Sequence, residues 1–268
     1  MSILSSTHTG KRGIDESLLY YGLDPSKATM RAGGAIDYDG DVKIYSHLID
    51  RIPFNFNEVN GDFRIVGCYL TTLEGAPKVV NGDFDVSVNN LRSLEGCPVH
   101  ANGVMCNYNS ITSLAGSPSM VPGVFNCANN CLVDLHGAPK QVGGAFNCSF
   151  NSITSAVGGP ERASDYLCHR NCLTSLSGVP RVADVFSCHF NVELSSFENG
   201  PERVDSYLCS CHSDHYEICK TLKTQVRCYV DISIEMHDDF TKSHIDIIRS
   251  SVKAATGAND VILCLCGR

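Results

Sequence analysis

Basic residues are in deficit: 21 Lys and Arg stand against 29 Asp and Glu, a formal charge of −8. Displacing the counterions of a nucleic acid needs clustered positive charge, so nucleic-acid binding is disfavoured. The sequence also lacks any apolar run near the ~20 residues that a bilayer-spanning helix needs, and no membrane association is expected. Its start, Met1-Ser2-Ile3-Leu4-Ser5-Ser6-Thr7-His8-Thr9, has neither a basic flank nor an apolar core and does not read as a secretory leader. Hydrophobic residues make up 43% and charged residues 19%, which excludes a disordered chain. A length of 268 residues suits one large domain, or an elongated one with a small appendage.

Cysteine, by contrast, is abundant, with 15 residues. The chain is too long for a disulfide scaffold and carries no export signal, so a reducing, cytoplasmic setting in the producing cell is expected. The cysteines also recur at a fixed interval. One position carries Ile44, Ile65, Val86, Cys106, Cys127, Cys148, Cys168, Cys188 and Cys209, at spacings of 21, 21, 20, 21, 21, 20, 20 and 21 residues. Two residues earlier stand Val42, Phe63, Phe84, Val104, Phe125, Phe146, Tyr166, Phe186 and Tyr207. Three residues later comes a polar slot, Asn89, Asn109, Asn130, Asn151, Asn171 and Asn191, replaced by His47, Cys68 and His212 at the ends. A Leu-x-x-Leu pair follows, as in Leu91 to Leu94 and Leu173 to Leu176, and then Gly-x-Pro, as in Gly75-Ala76-Pro77 and Gly178-Val179-Pro180.

This pattern resembles the leucine-rich repeat, whose core is L-x-L-x-x-N-x-L. The resemblance spans roughly residues 36–212. Its repeat length and its Pro are similar to the short class found in secreted bacterial effectors and in phage proteins. Phe and Cys replace the usual leucines, and Gly stands where the effectors usually place Pro. The resemblance implies an α/β leucine-rich-repeat solenoid with a parallel β-sheet of about nine rungs and a mostly irregular convex side. The expected organisation is an N-terminal arm or cap over 1–35, the solenoid over 36–212 and a C-terminal cap or module over 213–268.

Each slot has a physical reason. Residues two apart on a strand face the same way, so the Phe and Cys slots both point inward. The Asn amide can bond backbone that the turn leaves unpaired. Gly permits a positive φ in the return, and Pro fixes φ where no donor is needed. No turn buries its apolar face alone; stacking closes the core.

The Cys slot holds Ile or Val in the first three turns, so its thiols read as small buried hydrophobes rather than as a metal store or redox ladder. Cys131 and Cys172, between Asn and Leu, fall where the rung turns outward. Cys209, Cys211, His212 and His215, with Cys219 beyond, are ligand types suited to zinc. Their spacing is not that of a paired knuckle, and Cys209 and His212 are already explained by repeat slots. No metal and no cofactor are therefore expected.

Outside the repeats, Asp15 to Tyr21 reads as a short helix, with Gly33-Gly34 as a break before the first rung. After the repeats, the four-residue spacing of Ile218, Leu222 and Val226 predicts a helix, and Val230, Ile232, Ile234 and Met236 predict a half-buried strand. Asp238 or Asp239 can cap a helix that holds Ile245, Ile248 and Val252 and closes at Gly257, with a last strand from Val261 to Cys266. The expected tail is thus an α-β-α-β cap.

Outward strand positions define the candidate site. Arg64, Asp85, Met105, Asn126, Asn147, Leu167, Ser187 and Leu208 form one row, and Val66, Ser87, Asn107, Ala128, Ser149, His169, His189 and Ser210 a second. Tyr108, Phe150, Arg170 and Phe190 occupy the next position. Aromatics and Arg are favoured at interface hot spots, so Met105, Tyr108, Phe150, Leu167, His169, Arg170, His189 and Phe190 are the candidate contacts for a protein partner. The expected function is non-catalytic recognition of that partner through the concave face and caps. A structural part in a larger assembly, such as a phage particle, and a secreted bacterial effector with a small C-terminal module are the alternatives. No nucleotide-binding Gly-rich loop and no Cys-x-Asp nucleophile occur in the tail, and no catalytic residues are expected.

Overall fold

The computed structural model describes residues 11–45, 47–212, 222–235 and 242–266. The chain coils into a β-solenoid of about nine turns. Its main sheet has eleven strands, all parallel, in spatial order of the chain: Val42–Tyr45, Phe63–Val66, Phe84–Asp85, Val104–Met105, Phe125–Asn126, Ala145–Asn147, Asp165–Leu167, Val182–Ser187, Arg203–His212, Gln225–Glu235 and Asp260–Cys266. The register is in phase with the sequence period: Phe125 pairs with Phe146, Phe146 with Tyr166, and Tyr166 with Phe186. The convex side is mostly irregular. It carries a four-stranded sheet made of Ala28–Met30, Ile36–Tyr38, Phe56–Val59 and Val79–Val80, and a pair made of Met120–Val121 and Gln141–Val142.

Identical slots become columns because neighbouring strands lie ~4.8 Å apart. Rings stack as Phe63 on Phe84 (5.5 Å), Phe125 on Phe146 (5.8 Å) and Tyr166 on Phe186 (6.0 Å). Beside them Cys106, Cys127, Cys148, Cys168, Cys188 and Cys209 are buried, the first five as free thiols. Burial pushes the Cys188 thiol up to about 12, far from thiolate chemistry. Cys131 and Cys172 are exposed.

The Asn column fastens each turn to the one before. Asn130 Nδ2 donates to the carbonyls of Cys106 (3.0 Å) and Cys127 (3.1 Å), while its Oδ1 accepts from the Ile111 N–H (2.9 Å). Asn151 repeats this with Cys127, Cys148 and Leu132. One side chain thus satisfies three backbone groups on two turns. The return glycines have positive φ as expected. At Gly116, φ is +95°, and an added Cβ would stand 2.5 Å from the Leu94 carbonyl oxygen.

The ends close differently. Helix α1 (Lys11–Tyr20) buries Leu18, and Tyr21 beyond it packs edge-on against Phe54 at 5.7 Å. Gly33 and Gly34, both at positive φ, form the turn of the antiparallel pair Ala28–Met30 and Ile36–Tyr38. At the other end helix α2 (Lys242–Thr256) buries Ile248 and Val252 and stops at Gly257, φ +69°. The strands around it extend the solenoid's own sheet. The helical spacing of Ile218, Leu222 and Val226 is not a helix where it is described: Leu222 lies in irregular chain and Val226 in a strand, where the parallel partner Val204 outweighs local periodicity. Ile218, Met236, Asp238 and Asp239 lie outside the described residues.

Candidate binding site on the sheet face

Three of the curved turns leave their strands in the same way. Asp85, Asn126 and Asn147 accept from the N–H of the residue two further on, Ser87 (3.0 Å), Ala128 (3.1 Å) and Ser149 (3.1 Å). These side-chain turns end the strand after two or three residues. The next residue takes the left-handed conformation: Val88 (φ 57°), Tyr108 (55°), Asn129 (55°), Phe150 (55°), Arg170 (52°) and Phe190 (56°), with Gly67 (66°) in the same slot one turn earlier. This conformation costs a non-glycine residue of order 1 kcal/mol or more. It is held by the backbone ladder, since the N–H of Phe150 donates to the His169 carbonyl (3.1 Å) and that of Arg170 to the His189 carbonyl (2.9 Å).

The consequence is a stripe of exposed or half-buried side chains, one per turn, along the edge of the sheet. Strand spacing is close to ring-stacking distance, so equivalent residues meet face to face. The Arg170 guanidinium lies between two rings, 5.1 Å from the Phe150 centroid and 4.5 Å from that of Phe190. In the adjoining row His169 and His189 stack at 4.4 Å with their planes 7° apart. Phe150 meets His169 edge-on, as His189 meets Phe190.

Ser187, buried beneath the pair, touches both imidazoles, with its Oγ 2.9 Å from His189 Nδ1 and 3.3 Å from His169 Nδ1. A hydroxyl has one proton to donate, so with both rings neutral Ser187 donates to one and accepts from the other. The two rings then hold opposite tautomers, and one outer Nε2 is a donor and the other an acceptor. Desolvation, with the neighbouring Arg170 charge, lowers the pKa of His169. Desolvation, with His169 and Arg170, lowers that of His189 to about 4.

Of the eight candidate contacts, Phe150, His169, Arg170, His189 and Phe190 form one cluster. Leu167 is half-buried on the same strand, two residues before His169. Tyr108 is in the same stripe, 57% exposed, but two turns from Phe150, with Asn129 between. Met105 stands three strands from Leu167, through Asn126 and Asn147. Ser87, Ala128, Ser149 and Ser187, expected among the outward residues, are buried: they are small, and larger neighbours in the rows close over them. Sequence reasoning gave Ser187 no role. Its signal is its place at the diagonal between His169 and His189 on paired strands. Among the zinc-compatible residues, Cys209 is buried in the Cys column, and Cys211 and His212 lie on the strand Arg203–His212. His215 and Cys219 lie outside the described residues.

The stripe stops at Phe190. At the next turn the strand Arg203–His212 runs straight through the level at which the others bend, and the Phe190 N–H donates to the Ser210 hydroxyl (2.6 Å) instead of a carbonyl. The cluster therefore sits where curved turns meet long straight strands. No helix among the described residues is long and apolar enough to cross a membrane. Comparison with family models, curated proteins and solved structures finds no match for this chain.

Proposed function

We propose that this chain is a non-catalytic binding scaffold of the leucine-rich-repeat class, and that it recognises a partner protein through the C-terminal half of its sheet face. The Asn column, with its three-way backbone bonding, and the Leu-x-x-Leu pairs support the class. One observation carries the binding reading: five aromatic, imidazole and guanidinium groups are mutually stacked on the outside of the molecule, on backbone held in place by the ladder. Rings and Arg fixed in this way lose little entropy on contact, which is how hot-spot residues act. The buried, unpaired thiols suit a reducing compartment in the producing cell. Helix α1 and the C-terminal strands with α2 act as the caps that a solenoid needs.

The test is paired affinity capture from the native host. The full chain, an H169A/R170N/F190A variant and a K43A/R64A control are used as baits. The reading expects a partner held by the wild type and the control and weakened by more than ~2 kcal/mol in the cluster variant. A partner set indifferent to the cluster variant, with all three proteins folded, rejects it.

A further inference from the structure

The cluster's polarity narrows what it receives, granted that the binding reading above is right. Arg170 is the only Lys or Arg in the exposed strand rows and turn slots of the turns of Cys148, Cys168 and Cys188. Its guanidinium has no ion pair and no hydrogen bond among the described residues, in a chain of net charge −8. Arg64, the cation at the other end of the face, is instead neutralised by Asp62 (2.9 Å) and Asp83 (3.6 Å). The Phe150 and Phe190 rings take up the two sides of the Arg170 guanidinium carbon, and its N–H groups are what it has left to offer. A guanidinium edge presents two parallel donors, which match the two oxygens of a carboxylate.

The flanking imidazoles add hydrogen-bonding atoms and no charge at neutral pH. A single fixed positive charge balances a carboxylate, whereas a phosphate dianion would be left with excess charge against an acidic protein. Tying up the guanidinium faces in advance removes ordering cost from the encounter.

We infer that the Phe150–Arg170–Phe190 stack is a carboxylate-reading site, which takes an acidic side chain or the C-terminal carboxylate of a partner polypeptide on the Arg170 edge and apolar neighbours on the two rings.

Two random peptide libraries, one with free and one with blocked C-termini, are panned on the full chain. Selected peptides are then synthesised as carboxylate and as matched carboxamide forms, and titrated by fluorescence polarisation against wild type, R170N and F190A. R170N keeps the left-handed turn, because Asn129 already occupies the equivalent slot. The expected result is at least a tenfold loss of affinity when the carboxylate becomes an amide, and at least a tenfold loss on R170N. On R170N the two peptide forms should bind within twofold of each other. The library that yields binders separates a side-chain from a C-terminal source. Peptides that need Phe190 but bind equally as carboxamides overturn the carboxylate inference and leave the binding reading standing. A selection whose peptides ignore both F190A and R170N, or that yields none, overturns both.

Discussion

The phenolic oxygen of Tyr166 lies 3.1 Å from the point where a Cβ on Gly159 would stand. Gly200 and Tyr207 stand in the same relation at 3.3 Å. These are the two turns in which Tyr replaces Phe in the inward column, and the two in which the middle of the return motif is Gly. Elsewhere that slot holds Ala76, Cys97, Ser117, Ala138 and Val179, with Phe or Val in the column of the next turn. The extra oxygen takes the volume of the missing methyl. G159A should cost ~1–3 kcal/mol through overpacking. The Tyr166 hydroxyl is buried with no hydrogen-bond partner among the described residues, so Y166F alone should be neutral or stabilising. Urea unfolding of G159A, Y166F and the double variant measures the coupling, and strictly additive changes would rule out the volume exchange.

Asn151 holds two turns together from one half-buried amide. N151A leaves the Leu132 N–H and the Cys127 and Cys148 carbonyls without their partner and should cost about 2–4 kcal/mol, the penalty for stranding buried polar groups. Because each turn contacts only its neighbours, amide exchange should quicken first in the turns on either side of residue 151. Uniform loosening of the whole chain would contradict this.

His189 titrates at about 4 in the folded chain, against an ordinary 6.5, because burial disfavours the imidazolium. The unfolded state therefore binds more protons across that window, and stability should fall as pH drops from 6.5 towards 4. Above 6.5 both states are neutral and the effect vanishes. H189Q should flatten this part of the profile in thermal melts. An equal slope in both proteins would place the acid sensitivity elsewhere.

The inward thiols should behave as aliphatics. C148V mimics what Val86 already does in the same column and should change stability by less than ~1.5 kcal/mol. Alkylation of the native protein should label Cys131 and Cys172 while Cys106, Cys127, Cys148, Cys168 and Cys188 stay protected until denaturant is added. Peptide mapping by mass spectrometry reads both.

Much of the scaffold is legible in the sequence because a period of 20 or 21 residues forces equivalent side chains into columns. Phe125, Cys127, Asn130 and Gly137 each do what their chemistry suggests. The left-handed slot is harder to read. Val88, Phe150 and Arg170 have no intrinsic taste for that conformation; the ladder of the next turn imposes it, and only Gly67 and Asn129 hint at it. Exposure is not legible where it depends on neighbour size, as at Ser187 and Ser149, which occupy outward slots and are buried. In the tail, local periodicity predicts a helix through Val226, whereas pairing with Val204 makes it a strand. For the cluster itself, residue types and slots are visible in the sequence, but the common hydrogen bonding of the two imidazoles through Ser187 needs the register of two adjacent strands.

The halt of the stripe at Phe190 has a consequence for how such a molecule can change in length. Duplicating or deleting a middle turn, such as the one around Cys106, would move α1 nearer to or farther from Phe190 by one strand spacing, ~4.8 Å. The junction between bent and straight strands would be left untouched. The molecule is in this sense a ruler with its mark at one end, and its span can be reset without redrawing the mark.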